Sequence, residues 1–247
     1  MHGPEPRAPK CRCTLHDLSE SYPAEPDQEH QKTVRNETAE KASVDAGVVR
    51  YDVTKRVLDV VVAGAALVVT APVQALLALL VVRDVGRPVL FRQLRPGLHG
   101  ETFELRKFRT MRAPAGSSSE SDDDRLTPLG RALRATSLDE LPSLWNVVRG
   151  DMSLVGPRPL LVSYLDRYTP TQARRHEVRP GLTGLAQVQG RNLVGWPERL
   201  ALDVEYVESR SFALDLRILA RTVLLVVRRT GVSSGTSATM EEFTGSH

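Results

Sequence analysis

The stretch from Val57 to Val82 constrains this chain more than any other. It reads VLDVVVAGAALVVTAPVQALLALLVV and carries no charge from Val60 until Arg83. About 23 residues of helix reach roughly 34 Å, enough for the hydrocarbon core of a bilayer. Two features argue against a straight span. Pro72, near the middle, removes a backbone hydrogen bond and bends a helix. Basic residues flank both ends, with Arg50, Lys55 and Arg56 before the run and Arg83, Arg87, Arg92 and Arg95 after it. The positive-inside rule then gives no direction. A kinked, re-entrant helix with both ends at the cytoplasmic face reconciles the two. A straight single span and a buried helix of a soluble protein are the alternatives.

Ahead of this run, residues 1–46 are rich in Pro, Glu, His, Lys and Arg, with almost no apolar periodicity. Such composition predicts a disordered polar extension. Its Cys11 and Cys13, even with His16, make neither a staple nor a zinc set. No apolar signal region precedes it, so a cytoplasmic N-terminus is expected. The net charge of +3 favours anionic partners such as phosphate esters or lipid headgroups. Aromatic residues at 5% leave little for stacking single-stranded nucleic acid, so no nucleic-acid partner is expected.

Past the run, residues 86–112 alternate apolar and polar side chains around Pro96-Gly97 and His99-Gly100, a hairpin signature. Residues 113–125 read as a polar loop. Helices are expected over Leu129–Arg134 and Ser137–Val148, the second ended by Gly150. Another should start at Pro159 and run to Tyr168. A short turn is expected at Thr171–His176, and loop with a short strand over residues 180–192. Pro197–Ser209 and Leu214–Arg229 complete the helices. In the last, Arg217, Arg221 and Arg228 share one face, with Ile218, Leu219, Leu225 and Val226 opposite. That pattern suits a helix lying in a membrane interface, and equally one packed on a core. Residues 231–247 look irregular.

The chemistry concentrates between Arg134 and Arg158. Ser137 and Glu140 have the spacing of a capping box, which puts Asp139 in a first helical turn where its ionised form is favoured. An ionised carboxylate beside bound phosphate is a usable nucleophile, although a capping box alone is common. Lys107, Arg109, Arg134, Arg149, Arg158, Arg175 and Arg191 all lie near turns or Gly/Pro breaks, where their side chains can converge. Arg158 is held between Pro157 and Pro159, and guanidinium groups match phosphate oxygens. Carboxylates among phosphate-binding arginines suit Mg²⁺, with Asp139 the first candidate ligand and Glu140 a possible second. His176 reads either as a general base or as an ordinary hydrogen-bonded residue.

Four segments carry a resemblance: KRVLDVVVAGAALVVTAPV, FRQLRPGLHGETFELRKFRTMR, TSLDELPSLWNVVRGDMSLVGPRPLLVSYL and RHEVRPGLTGLAQVQGRN. In order and density they resemble the bacterial sugar transferase family, the small monotopic phosphoglycosyl transferases. The likeness runs over about residues 50 to 243. It implies an α+β, mostly helical fold: a re-entrant membrane helix hairpin (47–84), then a compact cytoplasmic catalytic domain (85–243) with interfacial amphipathic helices, and a tail at 244–247. It implies that a sugar-1-phosphate moves from a UDP-sugar to undecaprenyl phosphate at the inner membrane, with Mg²⁺, releasing UMP. Asp139 would be the nucleophile, completed by Glu140. Arg158 would bind phosphate, and Lys107, Arg109, Gln187, Arg191 and Asp203 would line the donor pocket. A non-catalytic membrane scaffold is the competing reading. The family often has Ser-Pro at the helix bend; here it is Ala71-Pro72, with Thr70 placed to supply the hydroxyl.

Overall fold

The apolar run is helical throughout. In the computed structural model, which describes residues 28–113, 121–189, 195–228 and 242–245, it falls within α1 (Gln28–Val85). The chain divides into Met1–Val48 and Val49–His247. Helix begins at Gln28, inside the stretch expected to be an extension, and everything below concerns the second unit.

From Asp59 on, α1 buries a single seam: Asp59, Ala63, Leu77 and Val81. These positions recur at helical spacing and stay on one face across Pro72. The opposite face leaves Val61, Val62, Val68, Val69, Val73, Leu76 and Leu80 exposed. The stretch Val49–Val85 has a mean hydropathy of 2.4, yet only 11% of its most apolar window is buried. Thr70 donates to Ala66 O at 2.6 Å. Its hydroxyl thus serves a backbone carbonyl near Pro72, though not that of Val68, the one Pro72 frees.

Both ends of the apolar run are tied to the same folded body. At one end Arg56 donates to Val147 O and Val148 O at 2.6 and 2.9 Å. Lys55 and Tyr51 donate to Asp215 Oδ2 at 2.6 and 2.9 Å. At the other end Thr127 donates to Asp84 at 2.5 Å, and Leu77 and Val81 pack with Phe108 and Leu133.

The expected hairpin forms as β1 (Leu90–Pro96) and β2 (Thr102–Phe108), antiparallel from Leu90 opposite Phe108 to Pro96 opposite Thr102. Alternation sends Phe103, Leu105 and Lys107 to one face of β2. Phe103 and Leu105 join Ala63, Leu144, Val147 and Met152 in a core, so Lys107 continues an inward face. Two short helices follow, α2 (Asp122–Arg125) and α3 (Pro128–Ala135), the latter capped by Thr127.

The helix expected over Ser137–Val148 is instead a 3₁₀ turn (Leu138–Ser143) leading into α4 (Leu144–Arg149). Pro142, inside the turn, has no N–H to continue an α-helical ladder. Gly150, at φ 107°, closes α4 as expected. Two short parallel strands come next, β3 (Ser153–Val155) and β4 (Gly181–Thr183). Between them lie a 3₁₀ turn (Val162–Arg167), α5 (Pro170–Ala173) and a 3₁₀ turn (Arg174–Glu177). The helix expected at Pro159 does not form; Pro159 to Leu161 are irregular, so no helix N-terminus follows Arg158. Glycine is required where β3 meets β4: a Cβ on Gly181 would lie 2.1 Å from Gly156 N.

The remaining helices are α6 (Leu185–Gln189), α7 (Trp196–Ser209) and α8 (Phe212–Arg228). In α8 the inward residue is Ile218, while Phe212, Leu216, Val223 and Val227 are exposed on a stripe beside Arg217, Arg221 and Arg228. Of the two readings open for the Ile218 side, membrane interface or core, it takes the core, and a second apolar stripe takes the outside. Near the end of the chain, Phe243 is buried among Tyr164, Tyr168 and Trp196.

Candidate active site

The capping box does not form, and its failure builds the site. Ser137 adopts φ 57°, in the left-handed region, and its side chain caps nothing. Glu140 N bonds the backbone oxygen of Ser137 at 3.2 Å instead. The Glu140 carboxylate is thereby free to turn to two cations. Lys107 Nζ donates to Glu140 Oε1 at 2.5 Å and Arg158 Nη2 donates to the same oxygen at 2.8 Å. The hairpin, the 3₁₀ turn and the Pro157-Arg158-Pro159 loop each supply one member of this cluster.

Asp139 lies next to it, 9% exposed. Among the described residues no hydrogen bond engages its carboxylate. Burial raises its pKa from the ordinary 3.8 to about 6, helped by the Glu140 charge and opposed by Lys107, Arg158 and Arg134. Glu140 is moved the other way. Burial pushes its carboxyl up, but Arg158 and Lys107 outweigh that and hold it well below the carboxylate range. Two adjacent carboxylates thus have opposed characters, one firmly ionised and paired, the other poised near neutrality. Burial lowers Lys107, against the pull of Glu140.

Arg158 is itself positioned. Arg175 Nη2 donates to Arg158 O at 2.7 Å and to Asp203 Oδ2 at 2.7 Å, and its Nε reaches Asp203 at 3.1 Å. Both side chains of this pair are 2% exposed. Asp203 acts through Arg175 to fix the loop that carries Arg158.

Glu140 and Arg158 border a cleft of about 390 Å³. Arg175, Gln187, Arg199 and Asp203 line its polar side, and Leu144, Leu219 and Val226 its apolar side. Gln187 donates to Leu182 O at 3.3 Å, while its Oε1 is buried with no partner among the described residues. The expected donor-site residues Gln187 and Asp203 thus share one cleft with Arg158. Arg109 is elsewhere, bonded to Met111 O and Arg87 O at 3.0 and 3.2 Å. Arg149 pairs with Asp151. Arg191 lies outside the described residues. His176 receives no proton role: its Nδ1 meets Gly97 O at 3.2 Å, and burial lowers its pKa to about 4. Arg199 was not among the sequence candidates, although its spacing of four from Asp203 on α7 was a signal.

Among the described residues no group of three His, Cys, Asp or Glu side chains stands together. What the cluster offers a cation is the Asp139 carboxylate and Glu140 Oε2, the oxygen that neither Lys107 nor Arg158 uses. That donor set fits Mg²⁺, which takes one or two carboxylates and completes its shell with phosphate oxygens and water.

Comparison with known proteins bears on the same region. The bacterial sugar transferase family matches residues 50–229. An uncharacterised sugar transferase of Bacillus subtilis, EpsL, is 50% identical over 197 residues, covering 78% of this chain and 97% of the relative. The UDP-glucose:undecaprenyl-phosphate glucose-1-phosphate transferase of Caulobacter vibrioides is 47% identical over 189 residues, 71% of this chain and 70% of the relative. The undecaprenyl-phosphate galactose phosphotransferase of Salmonella typhimurium is 39% identical over 196 residues, 72% of this chain but 41% of that longer protein.

Proposed function

The chain belongs to the bacterial sugar transferase family, and from that premise we propose that it moves a sugar-1-phosphate from a UDP-sugar to undecaprenyl phosphate. The observation that carries this reading is the Asp139–Glu140 pair with Lys107 and Arg158 beside the cleft. A carboxylate oxygen of Asp139 attacks the phosphorus that bears the sugar. The bond from that phosphorus to the bridging oxygen breaks, and UMP leaves with the bond's electron pair. The polyprenyl phosphate oxygen then attacks the same phosphorus and displaces Asp139. Undecaprenyl-diphosphate-sugar is released and the carboxylate is regenerated. A covalent intermediate lets one site serve a soluble donor and a membrane-bound acceptor in turn.

Each neighbour has a task. Glu140 holds Lys107 and Arg158 in place, and its negative charge keeps Asp139 basic. Arg158 and Lys107 counter charge on the phosphoryl oxygens as the bond to UMP breaks. Asp139 and Glu140 would hold Mg²⁺, which would supply neutralisation of phosphate charge. The cleft is large enough for the nucleotide, with Gln187 Oε1 an acceptor awaiting a donor group.

The reaction takes place at the inner face of the cytoplasmic membrane. An apolar helix tied at both ends to the body that carries the site does not cross the bilayer while that body stays on one side. This supports a re-entrant α1 with its exposed apolar face in lipid. The outer stripe of α8, beside its arginines, lies in the headgroup boundary. The test is UMP release from a panel of UDP-sugars by the purified protein in nanodiscs with undecaprenyl phosphate and Mg²⁺, beside Asp139→Asn. UMP from at least one donor, lost in the variant, is expected. Equal release by the variant would remove Asp139 from the chemistry.

A further inference from the structure

A third cation faces the same cluster from β1. Directly opposed residues of an antiparallel pair point to one face of the sheet. Arg95 opposes Phe103 and Gln93 opposes Leu105, so Arg95 shares the inward face of Leu105 and Lys107. It lines a small cavity with Lys107, Glu140, Arg158, Pro159 and Leu182. This cavity shares Glu140, Arg158, Leu160 and Leu182 with the larger cleft and measures about 90 Å³. At ~30 Å³ per water that is room for roughly three waters, or for one tetrahedral anion.

The charges in this cavity do not balance. Lys107 and Arg158 share one carboxylate oxygen of Glu140. Arg95 has neutral partners: Gln93 Oε1 at 2.6 Å from Nη2 and Pro159 O at 3.5 Å from Nη1. Among the described residues its buried Nε has no partner and no carboxylate is within ion-pair distance of it. A guanidinium with an unused N–H, set among two further cations around an anion-sized space, calls for an oxyanion.

We propose that the small cavity is a subsite for a single phosphate group, adjoining the cleft that takes the nucleotide, with Arg95 as its dedicated ligand. On the reaction proposed above, on which the identity of the group rests, the phosphate is either the monoester of the polyprenyl acceptor or the sugar-bearing phosphate of the donor. Both are tetrahedral oxyanions, and the subsite reads that shared chemistry.

The experiment titrates inorganic phosphate into the full-length protein in nanodiscs, first saturated with UMP, and follows binding by phosphorus NMR. Wild type binds phosphate with UMP in place. Arg95→Gln weakens phosphate at least about tenfold, equivalent to about 1.4 kcal/mol, while UMP affinity stays within about threefold. No phosphate uptake by the UMP-saturated wild type, or equal uptake by Arg95→Gln, would overturn the subsite. Should Arg95→Gln not fold, Arg95→Lys keeps the charge and loses the fork. It is expected to weaken phosphate by at least about threefold, and unchanged affinity would overturn the assignment equally. Steady-state kinetics separate the two sources: a rise in KM for the polyprenyl phosphate alone assigns the lipid, and a rise for the UDP-sugar alone assigns the donor. If neither KM moves, the subsite has no part in the reaction and the proposal fails. Phosphate binding that depends on Arg95 in a protein that releases no UMP from any donor would refute the reaction and leave the subsite standing.

Discussion

Asp139→Asn should make the protein more stable while making it inactive. The wild-type carboxyl is 9% exposed and is moved from 3.8 to about 6 by burial and by Glu140. A carboxylate whose pKa is raised on folding adds stability below its unfolded pKa and loses it as pH rises through the folded value. Above pH 6, then, folding carries the cost of keeping Asp139 ionised. A shift of about two units at about 1.4 kcal/mol each sets an upper bound near 3 kcal/mol. Asparagine removes the charge at nearly constant volume, so a gain of about 1–3 kcal/mol is expected at pH 7.5. At about 2–4 °C per kcal/mol for a chain of this size, the midpoint should rise by about 2–12 °C. Thermal unfolding in nanodiscs from pH 4 to 8 is the assay. The gap between variant and wild type should open between pH 4 and 6 and be absent at the acid end. A variant no more stable than wild type at pH 7.5, or a gap independent of pH, would refute the account of Asp139 as a carboxylate held at a cost.

Without Mg²⁺ the Asp139 carboxyl should titrate near pH 6, and Glu140→Gln should move that midpoint lower by removing a neighbouring negative charge, followed by carboxyl carbon NMR. Asp203→Asn leaves Arg175 as an unpaired buried cation, which should cost about 3–5 kcal/mol in denaturant unfolding, and should reduce donor use through the loosened Arg158 loop. Excess chelator should stop UMP release and added Mg²⁺ restore it; continued turnover in chelator would exclude the metal.

Periodicity made the framework legible in the sequence. An uncharged run gave α1, and alternation around Pro96-Gly97 gave β1 and β2, while the inward face of Lys107 emerges only from the strand register. Local signals misled where tertiary contacts won. Ser137 and Glu140 have capping-box spacing, yet Ser137 takes a left-handed conformation and Glu140 goes to Lys107 and Arg158, 33 and 18 residues away. Pro159 looks like a helix start, but its carbonyl instead receives Arg95. Arg95 read as a charge flanking the membrane run, because nothing in spacing reveals that its strand register points it inward. The Arg175–Asp203 pair spans 28 residues, a distance no local pattern encodes. In α8 the amphipathic period was visible, but two apolar stripes were available and packing chose Ile218 for the inside.

The most direct test of the central claim, that Asp139 carries the phosphosugar, is the intact mass of the protein after incubation with its UDP-sugar and Mg²⁺ in the absence of any polyprenyl acceptor. The account predicts one equivalent of UMP and a mass increase of one sugar phosphate, labile to hydroxylamine, discharged by added undecaprenyl phosphate and absent in Asp139→Asn. Product formation on adding acceptor, with no adduct and no UMP before it, would contradict the covalent route and point to direct transfer between the two substrates.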